Sequence, residues 1–151
     1  LEKIKSFIKN KNKIEIEDLL KLTNLAENYS ISELIDNCLA KNKKKTINIL
    51  NENNYSLEDC IIIIRNFLIK SKRLLRLSQQ IKDKKNIDEI ISSFKPPIFW
   101  KDKDIIKQQL KIWSLPQIKS LINKTNDMEL LIKKNSQASN QIVNNFILEK
   151  L

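Results

Sequence analysis

The stretch Ser56-Leu-Glu-Asp-Cys-Ile-Ile-Ile-Ile-Arg-Asn-Phe-Leu-Ile-Lys-Ser-Lys-Arg-Leu-Leu-Arg-Leu77 decides how this chain folds. Its run from Cys60 to Ile64 is mostly β-branched and, by propensity alone, suits a buried strand. Two features decide for a helix. Ser56-Leu-Glu-Asp59 reads as a helix cap, with the Ser and the acid three residues apart. Beyond it, Leu57, Ile61, Ile64, Phe67, Leu68, Leu74, Leu75, Leu77 and Ile81 continue a helical pattern without a break. The spacing predicts one long helix over about 57–82. Isoleucine on so many of its faces places that helix at the centre of its domain.

Working outward, the chain has no glycine, and hairpin turns and phosphate-cradling loops usually need residues at positive φ. An all-α fold is therefore expected. Upstream, Leu1, Ile4, Phe7 and Ile8, then Ile16, Leu19, Leu20 and Leu22, follow helical spacing on either side of the charged linker Lys9 to Lys13. Ser30-Ile-Ser-Glu33 reads as a capping box opening a helix with Ile31, Leu34, Ile35, Cys38 and Leu39 on one face. Thr46, Ile47, Ile49 and Leu50 mark the next helix, which stops in the polar run Asn51 to Asn54. Downstream, Asn86 caps a short helix through Ser93. Pro96-Pro97 ends it, because neither residue donates a backbone hydrogen bond. Further helices are expected over 102–113, over 115–134 with Pro116 tolerated in the first turn, and over 140–151. The total is eight or nine, with a domain boundary near Asn51–Tyr55.

Lys+Arg 28 against Asp+Glu 18 leaves a formal charge of +10, which favours anionic partners such as nucleic acid or acidic protein surfaces. Lysine, isoleucine and asparagine are also residues of A/T-rich codons, so a lysine on a solvated helix face needs no function. Arginine is more selective. Arg65, Arg73 and Arg76 are the only three, and they fall within roughly an 80° arc of the long helix. They either contact an anion or carboxylate or lay their stems over apolar surface with the guanidinium groups in water. Cys38 and Cys60 lack metal-ligand spacing, there is no histidine, and both read as small buried thiols. No apolar run approaches the ~18 residues of a membrane span. Without histidine, a Cys–His pair or a glycine-rich loop, no catalytic site assembles and no metal or cofactor is expected. A binding or assembly module remains.

Phe94-Lys-Pro-Pro-Ile-Phe-Trp-Lys-Asp-Lys103 gathers two of the three prolines, two of the five phenylalanines and one of the two tryptophans. The prolines set a rigid kink. The aromatic pair beyond it either plugs a gap between helices, for which Phe99 is the better fit, or presents a flat face at the surface. Trp100 beside Lys101 and Lys103 is the pairing that stacks a base and holds its phosphate.

Asn24 to Asn42, "NLAENYSISELIDNCLAKN", followed by "KKKTINILNENNYSLEDCIIIIRNFLIKSKRLLRL", resembles the DNA polymerase III delta subunit of the bacterial clamp loader. In that family a polar turn leads to a helix ending "(L/A)-x-(K/G)-(N/D)", then a short helix, then a long helix with an Arg-Leu-Leu-Arg type of ending, which Arg73-Leu-Leu-Arg76 matches. Many members also carry a segment like "R-P-P-V-F-F-K", which Lys95-Pro-Pro-Ile-Phe-Trp-Lys101 resembles, followed by a helix ending "L-x-x-W", as Leu110 to Trp113 does.

The resemblance implies that the chain, which begins at Leu1, is a fragment of a longer cytoplasmic protein with an AAA+-like domain upstream. Residues 1–53 would be the C-terminal part of a helical AAA+ lid domain, and 54–151 a helical collar that packs beside other clamp-loader subunits. The upstream domain would open the sliding clamp, and the delta subunit itself hydrolyses no ATP. On this reading Trp100, Lys101 and Lys103 face primed DNA inside the loader ring, and Arg65, Arg73 and Arg76 are first candidates for the subunit interface. The alternative is a stand-alone basic helical module that binds nucleic acid. The two readings separate on whether the isolated chain needs partners or holds DNA alone at sub-micromolar affinity.

Overall fold

A computed structural model of the chain describes residues 29–81 and 86–151. The helices expected over residues 1–8 and 16–22 lie outside this range. Two compact units are distinguished, Leu1–Ile31 and Ser32–Leu151. The boundary expected near residue 53 falls inside the second unit, between two of its helices.

All secondary structure among the described residues is helical. We number the helices α1 (29–39), α2 (Lys43–Glu52), α3 (Leu57–Ile81), α4 (Ile87–Ser93), α5 (Lys103–Ile112), α6 (Leu115–Lys134) and α7 (Ser139–Glu149). Single 3-10 turns, Trp100–Asp102 and Ser136–Ala138, precede α5 and α7. Tyr29 and Ser30 are already helical, so Ser30 is not the cap expected of it.

The disputed run Cys60 to Ile64 is helical, and the cap that favoured this is formed. Asp59 N–H donates to Ser56 Oγ at 3.1 Å, and Ser56 N–H donates back to Asp59 Oδ2 at 2.9 Å. Helix α3 is the hub of the unit, packing against α4, α5, α6 and α7, most extensively against α6. Cys60, Ile63, Ile64, Phe67, Leu74 and Leu77 are buried along it. Phe67 meets Phe146 of α7 edge-on, with centroids 5.2 Å apart. At roughly 1.5–3 kcal/mol for each large apolar side chain buried, this helix supplies much of the drive to fold. The expected starts of α4 and α6 also hold. Asn86 Oδ1 accepts from Asp88 N–H at 3.1 Å to open α4. At α6, Gln117 Oε1 accepts from the Ser114 N–H at 2.9 Å, with Pro116 in the first turn.

A helix end leaves its last carbonyls without intrahelical partners, and α1 shows where these go. Lys41 takes a left-handed conformation at φ 58°, which closes a Schellman turn. Its N–H donates to Cys38 O at 3.0 Å, and the Asn42 N–H donates to Asn37 O at 2.9 Å. Side chains of the α5 region take the remainder. Trp113 Nε1–H donates to Leu39 O at 2.7 Å and Gln108 Nε2 to Ala40 O at 3.0 Å, while Gln109 Nε2 adds a second bond, at 3.0 Å, to Asp36 O, which already accepts from the Ala40 N–H. From the chain's far end, Lys150 O accepts from Lys41 Nζ at 2.6 Å. These bonds fasten residues 36–41 to the α5 region and to the residue that follows α7.

The two cysteines are free and buried, as expected. Burial pushes the Cys38 thiol up to about 12 and raises Cys60 as well, so both stay protonated near neutrality.

Candidate nucleic-acid and subunit interface

The segment between α4 and α5 alternates inward anchors with outward display. Helix α4 ends at Phe94, which turns to extended geometry at φ −64° and ψ 139° and sends its ring inward. Lys95, Pro96 and Pro97 are exposed, with a cis Lys95–Pro96 peptide. Ile98 turns in again. Phe94 and Ile98 join Leu77, Ile90, Ile91 and Ile106 in one apolar cluster, with Ile81, Ile87, Ile105 and Leu110 at its margin. Phe99 and Trp100 then turn out, 57% and 68% exposed.

The plug under this corner is therefore Phe94 with Ile98, and the expectation that Phe99 would fill the gap is overturned. Phe99 carries extended backbone immediately before a 3-10 turn, and that turn swings its ring to the same outer side as Trp100. The two rings are 5.8 Å apart between centroids and tilted by 46°. Lys101 Nζ sits 5.3 Å from the indole centroid, within cation–π range. Two short bonds hold the turn, Asp102 N–H to Phe99 O at 2.9 Å and Lys103 N–H to Trp100 O. Lys103 is half-buried and begins α5. The result is a flat aromatic surface with a cation on its face, mounted on a rigid apolar base. An exposed aromatic with an adjacent cation has the chemistry to stack a planar ring and neutralise a nearby phosphate.

The three arginines, close in helical angle, have different surroundings. Arg65 pairs with Glu129 of α6, with Nη2 and Oε1 3.1 Å apart. Lys133 shares that carboxylate, and the bonds from Lys133 and Arg65 hold Glu129 below the usual carboxylate range. Arg76 lays its guanidinium over the Phe94 ring, 5.0 Å from the centroid, a cation–π contact. Arg73 turns inward, its Nη2 3.8 Å from Asp36 Oδ1. Arg65 and Arg76 thus remain on the exposed edge of α3, while Arg73 is half-buried and turned toward Asp36.

Asp36, Lys70, Gln108, Gln109 and Trp113 went unremarked in the sequence as polar contacts. Lys70 Nζ pairs with Asp36 Oδ2 and donates to Ser32 Oγ at 2.7 Å and Ser32 O at 3.1 Å. Burial lowers the Lys70 pKa; the Asp36 carboxylate and, more weakly, Asp102 oppose the shift. A signal was present. Asp36 and Gln109 sit among the apolar residues of their helices, and a polar residue there needs a partner.

Among the described residues, no three His, Cys, Asp or Glu side chains gather as metal ligands, and no helix is long and apolar enough to cross a membrane. Comparison with known protein families, with curated proteins and with solved structures finds no match.

Proposed function

We propose that this chain is an assembly subunit of a sliding-clamp loader, as its resemblance to the delta subunit implies. It packs beside other loader subunits and lends Trp100, Lys101 and Lys103 to primed DNA. Residues 54–151 take the part of the collar. Clamp opening and ATP hydrolysis are left to other domains and subunits.

The observation that carries this reading is the exposure of Trp100, 68% accessible with Lys101 against its face. An indole left in water on top of a well-packed apolar cluster contributes little to the fold. It falls within Lys95-Pro-Pro-Ile-Phe-Trp-Lys101, the segment that carries much of the resemblance.

The test is reconstitution with bacterial clamp-loader subunits. The chain is expected to co-elute with them in size-exclusion chromatography. Trp100→Ala should leave that assembly intact and weaken primed-DNA binding by about 1–3 kcal/mol, roughly 5- to 150-fold. Unchanged DNA affinity would remove Trp100 from the DNA contact. Failure to co-elute, with sub-micromolar DNA binding by the chain alone at physiological salt, would replace the assembly reading with the stand-alone module.

A further inference from the structure

The hub helix α3 keeps one edge uncovered. Its exposed residues include Glu58, Ile62, Arg65, Ile69, Lys72 and Arg76. They are separated by steps of four, three, four, three and four. That average of 3.6 matches the helical repeat and lines them into a nearly straight seam, roughly 27 Å long at 1.5 Å per residue. The other faces of α3 pack against α4, α5, α6 and α7. On the seam, Ile69 is 64% exposed and Ile62 36%. These β-branched residues stand seven apart, about two turns of the helix, with Ile69 largely uncovered and Ile62 uncovered over about a third of its surface.

We infer that this seam docks a single amphipathic helix of another subunit, one that sets apolar residues on Ile62 and Ile69 and carboxylates opposite Lys72 and Arg76. The inference rests on the assembly reading above and names the surface and partner chemistry that serve it. Charge selects the occupant. The seam carries three cations and one carboxylate, so a second copy of the chain would bring two net-positive edges together, which opposes self-pairing. Arg65 already has the Glu129 carboxylate, which leaves the Lys72 and Arg76 end as the part that attracts an acid. Ile62 and Ile69, spaced seven apart, fit a helix that presents apolar residues at the same interval. A strand or loop would meet them in poorer register.

The experiment uses the full chain with the same loader subunits and two variants, Ile69→Asp and the double reversal Lys72→Glu with Arg76→Glu. Association is read by sedimentation velocity, Tm by calorimetry, and protection over residues 62–76 by hydrogen exchange. The expected result is assembly of the wild type with slowed exchange along the seam. Each variant should bind at least about tenfold more weakly, with Ile69→Asp keeping the wild-type Tm. Assembly of both variants at wild-type affinity would overturn the seam while leaving the assembly reading intact. Wild-type chain that joins no loader subunit would overturn both. Self-association of the chain alone, abolished by Ile69→Asp, would show that a second copy covers the seam and would overturn the acidic partner.

Discussion

The two halves of α5 are held by opposite kinds of force. Its first half rests on an apolar corner, where Ile106 packs with Leu77, Ile90, Ile91, Phe94 and Ile98, and that corner supports the exposed Phe99–Trp100 knuckle. Its second half ends in donors that satisfy the carbonyls of α1, through Gln108, Gln109 and Trp113. Nearby, the Asp36–Lys70 pair fastens α1 to α3. The apolar corner is non-directional and supplies stabilisation in proportion to the area buried. The polar seam has a smaller net yield, because each bond replaces one made to water, but it accepts only one register of α1. Stability and positional specificity are thus divided between the two halves of one helix.

The largest effect should come from the apolar corner. Phe94→Ala removes a ring that is buried in the cluster and covered by Arg76, and should cost about 3–5 kcal/mol in urea denaturation. A loss below about 1 kcal/mol would mean that Phe99 moves in to fill the site.

Next in size is the buried ion pair at the polar seam. Lys70→Met leaves Asp36 with only Arg73, at 3.8 Å, and should cost about 3 kcal/mol at neutral pH. A pH signature separates this from simple packing. The folded-state pKa of Lys70 is lowered, so between that value and 10.5 the unfolded chain binds more protons than the folded one. The wild type should therefore gain stability relative to Lys70→Met as pH rises toward 10.5. A gap independent of alkaline pH would show that Lys70 is not electrostatically penalised by burial.

The halves also differ in how legible they were. Leu77, Ile90, Ile91, Phe94 and Ile106 lie in or beside helices that capping and periodicity delimit, so the corner's framework follows from local spacing. The ends of α3, α4 and α6 come within a residue of expectation because their caps lie within a few residues of what they cap. The polar seam is a set of long-range pairings. Trp113 and Leu39 are 74 positions apart, and Lys41 and Lys150 are 109 apart, so no local pattern joins them. Trp100, for which the sequence allows a surface face or a plug, is exposed. Phe99 was misplaced because the direction of a 3-10 turn is set by the anchors Phe94 and Ile98, which composition does not rank.

One chemical change at two tryptophans sharpens the comparison. Trp113→Phe removes the N–H that satisfies Leu39 O and should cost about 1–2 kcal/mol. Trp100→Phe, at the exposed knuckle, should stay within about 0.5 kcal/mol of wild type. Equal losses in parallel thermal denaturations would contradict the assignment of structural work to one indole and surface work to the other.

The smallest effect lies at Lys41, where the absence of glycine has a structural consequence. The Schellman turn that ends α1 requires positive φ, and in a chain without glycine a lysine takes it at 58°. A side chain there is disfavoured by about 1–2 kcal/mol. Lys41 offsets this through its ammonium, which donates to Lys150 O and lies 4.9 Å from the Trp113 ring centroid. Two truncations divide these terms. Lys41→Ala loses both ammonium contacts and keeps the backbone strain. Lys41→Gly loses the same contacts and releases the strain, less about 0.4–1 kcal/mol for glycine's added freedom when unfolded. The glycine variant should therefore be the more stable of the two by several tenths to about 1 kcal/mol. Were the alanine variant to match or exceed it, the strain of the left-handed turn would be no larger than the roughly 0.4–1 kcal/mol that glycine's freedom costs, below the ~1–2 kcal/mol expected.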